Sequence, residues 1–189
     1  MRTCTVQRKT RETEVMVKLN LDGSGRTTAS TGFRFFDHML ESFGKHGLMD
    51  LEVRATGDLQ HHIVEDVGIC LGQALDRALA ERRGIARMGD AIVPMDDALV
   101  LVAVDLGGRA YTDISIRLTK KKLEDTSTDM IKHFLCTFAT NGRFNLHVMV
   151  LRGENDHHKV EAIFKALGIA LRKAVQIIGK EIPTTKGVL

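Results

Sequence analysis

HHIVEDVGICLGQALDRAL, from His61 to Leu79, and HHKVEAIFKALGIALRKAV, from His157 to Val175, decide the fold. Laid one over the other at an offset of 96 residues, they match at both histidines, at Glu65 with Glu161, Leu71 with Leu167, Gly72 with Gly168 and Leu75 with Leu171. A second matching pair lies upstream. HMLESFGKHGLMDLEV, from His38, falls on HFLCTFATNGRFNLHV, from His133, at an offset of 95. There His38 meets His133, Leu40 meets Leu135, Phe43 meets Phe138, Gly47 meets Gly142, Leu51 meets Leu146 and Val53 meets Val148. Two blocks in the same order at nearly the same offset indicate a tandem duplication. The halves are 1–90 and 91–189, each with its own HHxxE pattern, and they are expected to pack as one structural unit.

Local patterns give each half the same order. Residues 13–21 are strand-like and end in the turn Asp22-Gly23-Ser24-Gly25; 26–34 reads as a returning strand. A short helix over 36–45 ends near Gly47, a half-buried strand covers 50–56, and a long amphipathic helix covers 61–82 with Gly84 as its cap. The second half predicts strands 98–106 and 110–118, a helix 127–140, a strand 144–151 and a helix 157–178. Each half is therefore β-β-α-β-α. The expected architecture is α+β, with the helices packed on one face of each sheet. Pro94 and the charged run 119–129 are the clearest loops.

The repeated histidines carry the chemistry. Positions i and i+4 share a helix face, so His61 with Glu65, and His157 with Glu161, can close on one metal ion. The adjacent His62 and His158 point about 100° away. They require a second metal or a site shared with another subunit. A lone His-His pair on a helix is usually polar surface. Here the pair recurs with a matched glutamate and a matched upstream histidine, His38 or His133, which favours metal binding. Six imidazoles and two carboxylates suit Mn, Fe, Zn, Ni or Co. His147 reads as an ordinary strand residue, and His46 as a substrate contact or a loop residue.

Composition sets outer limits. With 27 basic and 24 acidic residues and a net charge of +3, no nucleic-acid partner is expected. Cys4, Cys70 and Cys136 are sparse and odd in number, a poor disulfide framework. The opening MRTCTVQRKTRETEV lacks the apolar core of a signal peptide, and no apolar run is long enough to span a membrane. A cytoplasmic protein with reduced thiols is expected.

Ordered segments along the chain carry a resemblance: RKTRET (8–13), LNLDGSG (19–25), TGFRFFDHML (31–40), HHIVEDVGICLG (61–72), GIARMG (84–89), VPMDDAL (93–99), DLGGRAY (105–111), GENDHHKVEAIFKAL (153–167) and IPTTKGVL (182–189). In these the chain resembles the imidazoleglycerol-phosphate dehydratases, lyases of histidine biosynthesis. The resemblance implies a homo-oligomer of 24 subunits and two Mn(2+) per active site, built at subunit boundaries. It implies His38, His61, His62, Glu65, His133, His157, His158 and Glu161 as ligands, and Glu12, His46, Arg87, Arg109, Lys165, Thr185 and Lys186 as substrate contacts. Glu12, outside the metal motifs, is the implied catalytic acid/base. Metal at the substrate's ring nitrogens would favour the imidazolate, which can expel the neighbouring hydroxyl. Arg87 and Arg109 suit the phosphate, since a guanidinium grips it bidentately. Arg82, Arg83 and Lys120 to Lys122 read as solvated charges. The resemblance departs at GDLQ (57–60), which runs straight into His61 where the family pattern is longer and acidic; the loop there is expected to differ.

Two other readings compete. A dinuclear hydrolase acting on a phosphate ester would use metal-bound hydroxide, and its ligands usually favour Asp and Glu over His. A non-catalytic metal-binding assembly would not need the paired arginines or the Thr-Lys tail.

Overall fold

The computed structural model describes residues 2–186. In chain order the first half runs β1 (Thr3–Lys9), β2 (Thr13–Asn20), β3 (Thr27–Ser30), α1 (Arg34–Gly47), β4 (Asp50–Gly57) and α2 (Gln60–Leu79). The second runs β5 (Met88–Met95), β6 (Ala98–Asp105), β7 (Tyr111–Ser115), a small hairpin of β8 (Lys122–Leu123) and β9 (Thr126–Ser127), α3 (Thr128–Gly142), β10 (Asn145–Arg152) and α4 (Asp156–Ala174). The four-stranded sheets have the orders β1-β2-β4-β3 and β5-β6-β10-β7. In each, the last two strands are parallel and the other neighbours antiparallel. The same topology twice is the duplication in three dimensions. The break between the equivalent halves lies in the connection 80–87, just ahead of the expected boundary at 90.

Alternation explains the layers. In β2, Thr13, Val15, Val17 and Leu19 point inward; in β6, Ala98, Val100, Val102 and Val104 do the same. The four helices lie between these inner faces. α2 packs on α3, and α1 on α4, so every helix–helix contact of note crosses from one half to the other. The glycines matched in the repeat sit at these crossings. A Cβ on Gly72 would come within 2.7 Å of the Gly142 nitrogen and the Phe138 carbonyl, and one on Gly168 would strike the Phe43 carbonyl. Between the helices, Phe134 stacks on Phe164 at 5.5 Å and meets Phe36 edge-on at 5.2 Å.

Several details differ from the sequence pattern. Apart from the β8–β9 hairpin that the second half adds, each four-stranded sheet has one more strand than β-β-α-β-α shows, namely β1 and β5. Both are edge strands, with Val6 and Ala91 their only buried residues, so their apolar alternation is faint. Pro94 lies in β5 rather than a loop, where an edge strand tolerates it. β3 does not return along β2. The Asp50 carboxylate accepts the N–H groups of Ser24 and Arg26 at 2.9 and 3.1 Å, which draws the chain across to pair beside β4. α2 stops at Leu79 and α4 at Ala174. Ala80 caps α2, and Gly84, at φ +71, instead lies against the Gly179 carbonyl. Beyond α4 the chain pairs back, Ile177 opposite Ile85. Arg82 is no solvated charge: it is buried and bonds to Asp76 and the Gly142 carbonyl, tying the end of α2 to the end of α3.

The run 119–129 also departs from a solvated loop. Asp125 accepts the N–H groups of Arg34 and Phe35 at 2.5 and 3.1 Å, capping α1, which has no side-chain cap of its own. The Gln60 amide bonds to the Asp125 carbonyl and the Ser127 N–H, tying the same hairpin to the start of α2.

The outer faces of the two sheets differ in character. Lys18 and Glu52 lie side by side on the first, beside Glu14 and Arg54. On the second, Ile92, Leu101 and Met149 form one row across the strands, with Met88, Tyr111 and Leu151 also exposed. No helix among the described residues is long and apolar enough to cross a membrane.

Candidate metal centre

Both HHxxE patterns open a helix, and the helix crossings bring each one against a histidine from the other half. His61 and Glu65 on α2 meet His133 on α3: Glu65 Oε2 lies 3.8 Å from His61 Nε2, and Glu65 Oε1 lies 3.8 Å from His133 Nε2. The two imidazoles stack at 4.6 Å. His157 and Glu161 on α4 meet His38 on α1. There Glu161 Oε2 lies 3.1 Å from His157 Nε2 and 3.7 Å from His38 Nε2. The upstream histidine of each repeat thus serves the other repeat's glutamate, a swap that spacing alone does not reveal.

The first donor set fits a divalent transition metal, its three donor atoms all lying within 4.8 Å of one another; in the second, Glu161 reaches His157 and His38 separately. Donors about 2.1 Å from one ion stand roughly 3.0–3.5 Å apart, close to the separations here. His133 Nε2 is buried and has no hydrogen-bond partner among the described residues, which is costly unless something coordinates it. Three protein donors per cluster leave coordination positions open. Asn155 caps α4 by accepting the His157 N–H at 2.9 Å, fixing the backbone that carries the ligand. A cleft of about 610 Å³ opens beside the second cluster, lined by Arg34, Phe35, His38, Glu124 and Asp125.

His62 and His158 turn away from these clusters and meet carboxylates that the sequence reading did not single out. His62 Nδ1 lies 2.8 Å from Asp58 Oδ1, and that bond raises its pKa. His158 Nδ1 lies 2.6 Å from Asp97 Oδ1, with Asp96 Oδ2 3.4 Å from its Nε2. The N–H of Asn155 and then His158 hold Asp97 well below the usual carboxylate range. A signal for Asp58 exists in the sequence: it sits four residues before His62, one helical turn away.

The remaining expected contacts fall in three places. Glu12, in the β1–β2 turn, stands 3.8 Å from His62 Nδ1. His46 and Lys165 adjoin the second cluster. Lys165 Nζ lies 2.8 Å from Glu161 Oε1. Burial opposes ionisation of Glu161, but Lys165, His157 and His38 together outweigh it and lower its pKa. Burial first, then Lys165, lowers the pKa of His46. Arg87 is clasped by Asp105, at 2.7 and 3.0 Å, and donates to the Pro183 carbonyl at 2.9 Å, so it also ties down the tail that carries Thr185 and Lys186. Those two residues are exposed. Arg109 is exposed in the β6–β7 loop, and no ion pair engages its guanidinium among the described residues.

Comparison with known proteins agrees over the whole chain. The profile described as Imidazoleglycerol-phosphate dehydratase matches residues 31–171. A protein of that name from Dehalococcoides mccartyi is 52% identical, the match covering 100% of this chain and 97% of its own length. One from Roseiflexus is 53% identical, covering 100% and 98%. The crystal structure of the Pyrococcus furiosus enzyme superposes with a TM-score of 0.86 at 40% identity, covering 97% of this chain and 100% of that one. The Staphylococcus aureus structure gives 0.85 at 33%, covering 93% and 99%. With its duplicated fold, its two HHxxE helices and these relatives, the chain belongs to the imidazoleglycerol-phosphate dehydratase family.

Proposed function

We propose that the chain carries out its family's reaction, loss of water from imidazoleglycerol phosphate to give imidazole-acetol phosphate in histidine biosynthesis, with two Mn(2+) ions held by the two cross-half clusters. The observation that carries the metal reading is the convergence of His61, Glu65 and His133, with the buried His133 Nε2 otherwise unpartnered. The ions would supply Lewis acidity at the ring nitrogens of the substrate.

The chain's own residues do the rest. His38, His157 and Glu161 form one ligand set, and His61, His133 and Glu65 the other. His62 and His158 project from the same helices in another direction, which suits ligation in a site completed by a neighbouring copy. Self-association is further supported by the row of Ile92, Leu101 and Met149 on the outer face of the second sheet, an apolar strip a single chain leaves in water. Assembly into 24 subunits is the form we propose. Arg109, whose guanidinium has no ion pair among the described residues, is the better placed of the two arginines to bind phosphate; Arg87 combines that duty with holding the tail. Lys165 and Lys186 add positive charge, and His46 and Thr185 complete the substrate contacts. Glu12 takes the carbon-bound proton, because Glu65 and Glu161 are committed to the metals.

Six histidines to two glutamates leave room for a nitrogen donor from substrate, which distinguishes this reading from a phosphoester hydrolase. The test is to incubate the purified protein with imidazoleglycerol phosphate and follow the ketone. Manganese-dependent ketone formation, abolished by chelator and restored by Mn(2+), is expected. Phosphate release without ketone would establish hydrolysis instead, and no turnover with metal fully bound would leave a metal-binding assembly.

A further inference from the structure

The two halves treat their second histidines differently. Asp96-Asp97 forms the corner of the β5–β6 turn, between the paired Met95 and Ala98. Arg11-Glu12 forms the corner of the β1–β2 turn, between Thr10 and Thr13. Because β2 and β6 hold the same place in their sheets, Glu12 is the positional counterpart of Asp97, as His62 is of His158.

Asp97 is fully engaged. Its Oδ1 takes His158 Nδ1 at 2.6 Å, and its Oδ2 accepts the N–H groups of Glu154 and Asn155 at 2.5 and 2.9 Å. The Glu12 carboxylate makes none of these bonds among the described residues. It is the Glu12 backbone carbonyl that accepts the equivalent N–H, from Asp58, at 3.1 Å. The ring nitrogen that Asp97 holds in the second half is held in the first by Asp58 Oδ1, at 2.8 Å, which also accepts the Leu59 N–H at 2.7 Å. Asp58 belongs to the GDLQ stretch that runs straight into α2, and its counterpart, Glu154, makes no hydrogen bond or ion pair with His158 among the described residues.

A histidine has one Nδ1, and a carboxylate that accepts a hydrogen bond from its N–H fixes the tautomer and turns the Nε2 lone pair outward. Two carboxylates compete for that position on His62. Asp58 occupies it; Glu12 stands 3.8 Å away, less than an ångström outside bonding range.

We infer that Asp58 is the positioning residue of His62, doing for it what Asp97 does for His158, and that this exchange leaves the Glu12 carboxylate unbonded and available to take the substrate's proton. The inference rests on the proposed roles of His62 as ligand and Glu12 as base. With the charge of Asp58 removed, Glu12 closes onto His62 and is lost to the reaction, as Asp97 is in the other half.

The experiment compares Asp58→Asn, Glu12→Gln, the double variant and Asp97→Asn. Each is assembled with Mn(2+), its metal affinity measured by competition with a chelator, and its kcat and KM measured at saturating Mn(2+). Asp58→Asn is expected to weaken one bound manganese about ten- to a hundredfold. Its kcat should stay depressed at saturating metal, and the double variant should be no slower than Glu12→Gln alone. Asp97→Asn should weaken manganese, but its effect on kcat should multiply with that of Glu12→Gln. Wild-type metal affinity and kcat in Asp58→Asn would overturn the inference, as would losses from Asp58→Asn and Glu12→Gln that simply multiply. If Glu12→Gln itself keeps wild-type turnover, the reading of Glu12 as base fails. The manganese affinity of Asp58→Asn then decides the positioning role alone.

Discussion

Glu65 and Glu161 occupy equivalent turns, yet Lys165 reaches Glu161 and the matching position in α2 is Ile69. One His–Glu cluster therefore has a built-in cation and the other, among the described residues, does not. The arginines divide in a comparable way. Arg109→Ala should raise KM about ten- to a hundredfold with metal content unchanged, the loss of one charge-assisted contact. Arg87→Ala should in addition free the tail at Pro183, read as faster proteolytic cleavage beyond residue 180; a tail as resistant as wild type would show that the clasp does not hold it. Cys70 gives a pH-dependent test. Burial raises its thiol to about 11, so at pH 8 only about one in a thousand is ionised. Cys70 should be the last thiol alkylated in the folded protein and should react promptly on unfolding. Labelling as fast as Cys4 would contradict its burial. The approach of His61 to Glu65 and of His157 to Glu161 was legible in the sequence because i and i+4 is a local relation. Asp97 and the hydrogen-bonding of Arg87 depend on which turns meet, and the one-dimensional pattern does not encode that directly; Asp58, four residues before His62, carried a local signal.

At the scale of elements, the repeated glycines explain themselves only in the folded chain. Gly72 and Gly142 let α2 and α3 touch, and Gly47 and Gly168 do so for α1 and α4. These are the same crossings that carry His133 to Glu65 and His38 to Glu161. Gly72→Ala should therefore destabilise the protein by about 1–3 kcal/mol through overpacking and loosen metal binding at His61, Glu65 and His133. The denaturation midpoint and manganese affinity measure the two effects, and an unchanged midpoint would mean that the helices part without cost. The four helices and the strands β2, β4, β6 and β10 were readable because their apolar periodicity is strong. β1 and β5 escaped because an edge strand buries almost nothing, and the hairpin at 122–127 because its charge hides a helix cap at Asp125.

At the scale of the whole molecule, duplication supplies two things at once: a pair of sheets enclosing four helices, and two pseudo-equivalent ligand sets made by exchange between halves. Neither half assembles a cluster alone, since the third side chain at each glutamate comes from the other half. The outer faces have diverged, one charged and one apolar, and the apolar one is the face the proposed self-association would bury. The central claim is that each chain holds two manganese ions in cross-half clusters. It is tested most directly by counting manganese per chain, by elemental analysis, in the wild type, in His133→Ala and in His38→Ala. Two ions per chain are expected in the wild type, about one in each variant, with dehydration lost in both. Two ions retained in His133→Ala would contradict the account, because His61 and Glu65 would then hold their metal without the histidine from the other half.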